Sequence, residues 1–148
     1  MIKTPLCDLT GIEKPIFQGG MAWIADASLA AAVSNAGGLG IISAMNANAD
    51  WLRNEIRDCR TRTAKPFGVN IMLQSPFAVE VAQVVAEEKV PVVVTGAGNP
   101  SKYMKTWQAA GIKVIQIDAS VALARLLERV GASAIGADGG VSGGDVGA

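Results

Sequence analysis

The stretch 90–118, VPVVVTGAGNPSKYMKTWQAAGIKVIQID, decides the fold class. Val90 to Thr95 (VPVVVT) is a continuous, mostly β-branched run. A run of this kind, without polar alternation, predicts a strand covered on both faces. Gly96 to Pro100 follow with loop residues. Lys102 to Ala110 carry helical patterning that stops at Gly111. Lys113 to Asp118 (KVIQID) predicts the next strand. Two strands joined through a helix by short connections make a parallel βαβ unit.

The same unit recurs on either side. Pro15 to Gln18 is a short apolar run ending at Gly19 and Gly20, and predicts a first strand. Asp26 or Ser28 caps a helix that Gly37 stops. Leu39 to Ser43 predicts a second strand, and residues 50–63 place Trp51, Leu52, Ile56 and Cys59 at helical spacing. Residues 66–72 predict a third strand, and Pro76 opens a helix that runs through Glu88. Downstream, Ser120 caps a helix that stops at Gly131, and Ala134 to Asp138 predicts a sixth strand. Successive β-α units make the class α/β with a parallel sheet. From spacing alone, a doubly wound sheet and a (β/α)8 barrel both fit.

Composition narrows the function. At 148 residues the chain is long enough for one domain with a core. Half the residues are hydrophobic and 18% are charged, which excludes a disordered chain. Lys plus Arg equals Asp plus Glu, at 13 each, so there is no basic excess for nucleic acid. The basic run Arg53, Arg57, Arg60, Arg62, Lys65 is interleaved with Glu55 and Asp58 and reads as a solvated helix face. Zero net charge with high apolar content predicts self-association. Cys7 and Cys59 lack a CxxC pairing and read as structural thiols in a reduced compartment. No signal-peptide pattern opens the chain, and no run reaches the roughly 18 apolar residues of a membrane span. The expected location is cytoplasmic, away from membranes. Histidine is absent, which excludes Ser-His-Asp and Cys-His catalysis and leaves acid–base work to other groups or a cofactor. No metal site is expected.

In both candidate architectures ligands bind beyond the carboxyl ends of the strands. There the sequence places Gly19 to Trp23, Ser43 to Asn46, Asn70 to Met72, Thr95 to Pro100, and Asp138 onward. These segments are rich in Gly, Asn, Met and Ala, which suits a flat, partly apolar ligand touched by backbone amides. Gly96-Ala97-Gly98 is a GxG after a strand, but Ser101 stands where GxGxxG needs its last glycine. No GxxxxGK[ST] occurs, so a P-loop is excluded. Gly37 to Gly40 lie at the opposite end of a strand and read as a tight turn. Asn70 is a polar residue inside an apolar strand and needs hydrogen-bond partners. A core amide and a ligand contact both satisfy that need, and the same two readings hold for Asp138.

Three stretches carry a resemblance: PIFQGGMAWIADASLAAAVSNAGGLGIIS, KPFGVNIMLQSPF and VVVTGAGNPSKYM. They resemble the flavin-dependent enoyl-[acyl-carrier-protein] reductases of fatty-acid synthesis, within the nitronate monooxygenase (2-nitropropane dioxygenase) family. The resemblance implies a parallel (β/α)8 TIM-type barrel holding FMN. Residues 1–148 are then expected to be a partial barrel domain, truncated after about six strands and lacking the last two β-α units. Gly19, Gly20 and Met21 would pack against the flavin ring, and Asn70 would hydrogen-bond it. The glycine-rich loop from Asp138 would follow the sixth strand, with Gly143 and Gly144 lining the cofactor. The implied activity is NAD(P)H-dependent reduction of a 2-enoyl thioester, carried on acyl carrier protein, through FMN.

The chain departs from the family at that loop. Asp145 stands where the family has its catalytic histidine, and Val141 where it has glutamate. A carboxylate has an ordinary pKa of about 3.9 against about 6.5 for imidazole, so it is not an equivalent proton donor. In barrels of this kind the loops after strands seven and eight commonly hold a phosphate. The chain as it stands is therefore expected to keep ring contacts and to be impaired as a reductase. Oxidation of alkyl nitronates, and a catalytically inactive barrel remnant, are the alternative readings.

Overall fold

A computed structural model describes residues 2–118 and 120–137. The strands read from the sequence after Gly38 all form: β1 (Gly40–Ser43), β2 (Phe67–Met72), β3 (Val92–Gly96), β4 (Lys113–Asp118) and β5 (Ala134–Ala137). Six helices accompany them: α1 (Pro5–Thr10), α2 (Ala27–Asn35), α3 (Ala49–Arg62), α4 (Ala78–Glu87), α5 (Ser101–Ala109) and α6 (Val121–Arg129). Capping explains where several helices begin. Asp26, Asn48 and Ser120 accept from the backbone N–H of Leu29, Trp51 and Leu123 at the starts of α2, α3 and α6. Helix α4 starts two residues after Pro76, because Ser75 Oγ first accepts from Phe77 N–H and holds a turn there.

All strand pairings are parallel, in the order β1-β2-β3-β4-β5. A doubly wound sheet reverses its strand order at a switch point. Here each strand pairs with the next in sequence and there is no reversal among the described residues. This is the winding of a TIM-type barrel wall.

Burial separates the two faces of the sheet. Ile42, Phe67, Val69, Ile71, Val93 and Val114 pack with helix residues such as Ala30, Leu52, Ile56, Val81, Val85 and Trp107. Ile41, Val92, Val94 and Ile115 pack on the other, concave face with Leu39, Cys7 and Ile12. Helix α1, which the sequence pattern did not announce, supplies Leu6 and Cys7 to that inner cluster. Proline at its first position and Gly11 at φ +75 bound it.

The expected first strand at Pro15–Gln18 is corrected to a single bridge, Phe17 with Leu39. The physical reason lies in two neighbours. Pro15 has no N–H to extend the ladder backwards, and Gly19-Gly20 follow at once. The Gln18 side chain takes over the pairing: Nε2 donates to Ile41 O at 3.1 Å, and Oε1 accepts from Ile41 N at 3.1 Å. A side-chain amide thus covers the outer edge of β1 where backbone would otherwise do so.

The turn at Gly37–Gly40 is structural, as read. Gly37 sits at φ +99, and a Cβ on Gly40 would lie 1.7 Å from the Ala30 carbonyl oxygen. Helix α2 packs so closely on β1 that only glycine fits.

Candidate functional site

The register of the sheet builds the site floor. Ser43, Asn70, Val94, Ile115 and Ala134 are successive partners across β1 to β5. Ile41, Val92, Val94 and Ile115 define the concave face, so alternation puts Ser43 and Asn70 on it too. The row is polar at its β1–β2 end and apolar beyond.

Gly20 lies against Asn70. A Cβ built on Gly20 would meet Asn70 Cβ at 2.6 Å and Cγ at 2.8 Å. Gly19 and Gly96 face open space, with nothing within 4 Å of such an atom. The Asn70 carbonyl accepts from Ala44 N–H at 2.9 Å, and its side chain lies against Gly20. Bare glycine backbone around a side-chain amide fits a flat ring held by hydrogen bonds at its edge. These residues therefore fit the flavin implied by the resemblance, with Gly19, Gly20 and Asn70 brought together and Met21 partly exposed beside them. Asp138, Gly143, Gly144 and Asp145 lie outside the described residues.

A cleft of about 190 Å³ opens beside this floor, lined by Ala22, Trp23, Ala25, Asp26, Ser43, Met45, Asn46, Ala47, Asn48 and Trp51. Ser43 is only 5% exposed, and its Oγ has no partner among the described residues. Trp23 stands at the rim, 85% exposed, with φ +68. That left-handed backbone is unusual for a bulky residue. Of the residues read at helical spacing, Leu52, Ile56 and Cys59 are buried, whereas Trp51 is 38% exposed and lines the cleft.

The β3–α5 loop closes another side of the strand ends. Its backbone includes Ala97 at φ +53 and Gly98 at φ +147. Thr95 is fully buried and its hydroxyl bonds to the Gln116 side chain, so Gly96 to Asn99 are what this loop offers. Gln116 Nε2 donates to Gly98 O at 3.1 Å and to Ile117 O at 3.1 Å. This buried amide sets the loop's position. It was missed in the sequence, where the available signal was one amide inside the apolar run KVIQID.

The basic run is a paired surface. Glu88 takes Arg53, Arg57 and Arg60 at 2.8, 3.0 and 3.2 Å, Arg62 pairs with Asp58, and Lys65 with Glu13. Among the described residues no helix is long and apolar enough to cross a membrane.

Comparison with known proteins agrees with this arrangement. FabK from Thermotoga maritima superposes with a TM-score of 0.97 at 52% identity, over 100% of this chain and 48% of that one. Nitroalkane oxidase from Streptomyces ansochromogenes superposes with a TM-score of 0.83 at 28% identity, over 92% of this chain and 48% of that one. A (3aS,4S,5R,7aS)-5-hydroxy-7a-methyl-1-oxo-octahydro-1H-indene-4-carboxyl-CoA dehydrogenase of Mycobacterium tuberculosis is 36% identical over 99% of this chain and 41% of its own length. A nitronate monooxygenase of Paraburkholderia phytofirmans is 45% identical over 54% of this chain and 22% of its own length. The chain thus spans about half the length, or less, of these relatives. With the nitronate monooxygenase family model matching residues 3–148, and the sequential parallel sheet beneath it, the chain belongs to the nitronate monooxygenase family.

Proposed function

We propose that this chain forms the flavin-ring side of an FMN-dependent reductase of 2-enoyl thioesters, with NAD(P)H as reductant and an acyl-carrier-protein thioester as substrate. The observation that carries the reading is Gly20 packed on the Asn70 side chain, with open space over Gly19 and Gly96. The 52% identity to FabK across the whole chain favours the reductase branch over nitronate oxidation.

When bound, FMN supplies the hydride-transfer chemistry, and the protein supplies position. Gly19, Gly20 and Met21 would present backbone to the ring, and the Asn70 amide would offer both a donor and an acceptor. Gln18 locks that loop to β1 through its paired bonds to Ile41. Gln116 locks the facing loop through Gly98. Val94 and Ile115 keep the floor beyond Asn70 apolar and would help shield a bound flavin from water. Asp138, Gly143 and Gly144 join this set by resemblance. Asp145 brings a carboxylate to the family's histidine position. To donate a proton near neutrality, its pKa must rise from about 3.9, which requires burial or a neighbouring anion.

Visible absorbance during an FMN titration tests the reading. Saturable spectral perturbation is expected, with binding about tenfold weaker in Asn70→Ala, the loss of about one hydrogen bond. No perturbation at any FMN concentration overturns it. Oxidation of NAD(P)H that depends on a short 2-enoyl thioester separates this reading from nitronate oxidation, in which an alkyl nitronate is consumed instead.

A further inference from the structure

The β3–α5 loop holds a backbone that its own residues do not favour. Ala97 sits at φ +53, the left-handed region that a residue with a Cβ rarely adopts. Its side chain is exposed, so no burial offsets the cost. A backbone of this kind persists where the surrounding structure over-determines it. Tethers at both ends do so here. Gly96 O accepts from Leu73 N at 3.0 Å. Gly98, at φ +147, rests on Leu73, where a Cβ would come within 2.9 Å of the Leu73 Cβ. Asn99 Oδ1 accepts from Ser101 N at 2.9 Å, where α5 begins. From β4, Gln116 Nε2 donates to Gly98 O at 3.1 Å.

Thr95 decides how that last tether points. Both Thr95 and Gln116 are fully buried, and the Thr95 hydroxyl donates to Gln116 Oε1. With the oxygen so placed, Nε2 has its two hydrogens for two carbonyls, Gly98 O and Ile117 O, each at 3.1 Å. The reverse orientation would set Oε1 against both carbonyl oxygens with no hydrogen between them. Val94 and Ile115 face the concave side, so alternation puts Thr95 and Gln116 on the helix-facing side. They reach the site only through the loop. Gly96 is where the loop meets it: Gly96 is the partner of Met72 in register, two positions beyond Asn70 on β2, and a Cβ built on it would have nothing within 4 Å.

We infer that Gln116, oriented by Thr95, is a positioning residue: the pair forces Ala97 into its left-handed form and so fixes the open space over Gly96. For what enters that space the inference rests on the flavin reading above. It adds two residues that touch no ligand and set how well one fits.

The test uses the 148-residue chain and a paired variant, Thr95→Val with Gln116→Met. Replacing both partners by apolar groups of similar shape keeps the fold while removing the tether. Ala97→Gly is then made in each background. Glycine adopts positive φ freely, so in the original chain Ala97→Gly is expected to raise the urea midpoint. In the paired variant the loop relaxes, and the same change is expected to leave the midpoint unchanged or lower it. Thr95→Val alone is expected to show this coupling to a smaller degree. Equal shifts in both backgrounds overturn the inference. FMN is titrated into the same proteins. The paired variant is expected to bind it about tenfold more weakly than the original chain, and Thr95→Ser, which keeps the hydroxyl, to bind as the original does. Coupling at Ala97 with unchanged FMN affinity in the paired variant overturns the positioning role. If the original chain binds no FMN, the flavin reading falls, and the Ala97 cycle alone decides this inference.

Discussion

Single residues hold the two layers of this structure in register. Gly40 is the tightest point, because its α-hydrogen faces the Ala30 carbonyl where a Cβ would come within 1.7 Å. Gly40→Ala is expected to destabilise the chain by about 3 kcal/mol, the upper range for forced overpacking, read as a lower urea midpoint with unchanged slope. Cys59 shows the opposite side of burial. It is fully enclosed in the helix-facing core, and burial followed by the Asp58 charge pushes its thiol up to about 11. The neutral thiol is favoured in the native state, so its contribution is present below the ordinary value of 9.0 and is lost as pH rises from there through about 11. Stability is expected to fall across that window, and Cys59→Ala is expected to flatten the fall. Alkylation of the native protein by iodoacetamide at pH 8 is expected to spare this thiol.

At the scale of elements, α3 and α4 are joined by charge as well as by packing. Burial pushes the Glu88 carboxyl up, but hydrogen bonds from Arg53 and Arg57 more than reverse this and hold it below the usual range. A lowered carboxylate stabilises the fold above its ordinary value near 4.5, and that contribution is lost as pH falls below it. Glu88→Gln leaves Arg57 and Arg60 without their carboxylate, while Arg53 keeps Glu87. It is expected to cost about 1 kcal/mol at low salt, with the deficit shrinking as salt screens the arginines. Thermal melts at two ionic strengths check this. The same residues show how much a sequence pattern conveys. Interleaved signs along residues 53–65 announced a solvated helix face, but nothing in local spacing named Glu88 on the next helix as the common partner.

For the whole molecule, sequential strand order settles what spacing left undecided. Beta-alpha units of this length suit a doubly wound sheet as well as a barrel wall, and the run β1 to β5 without reversal selects the wall. Strand β5 pairs only with β4 among the described residues, and Ile135 on it is 38% exposed. Exposed Val121 and Leu126 lie on the neighbouring α6. An apolar strand edge that is unpaired among the described residues, on a chain of zero net charge, favours self-association. Light scattering is expected to give masses above 15.2 kDa for the 148-residue chain, and Ile135→Lys is expected to lower them.

What the sequence by itself determined is the class and most element positions. Apolar runs, Gly and Pro punctuation and capping residues act over a few neighbours, so Val92–Gly96, Lys113–Asp118 and the caps Asp26 and Ser120 were legible. The candidate contacts at Gly19, Gly20, Met21 and Asn70 came from the resemblance. Only the tertiary structure decided that Gly20 rests on Asn70, fifty positions away, and that Gln116 holds Gly98. It alone reduced the first strand to one bridge completed by the Gln18 side chain, and placed Trp51 in the cleft lining apart from Leu52, Ile56 and Cys59. The reason is physical: strand register and helix docking join residues far apart in the chain, and no local propensity records which partner each side chain will meet.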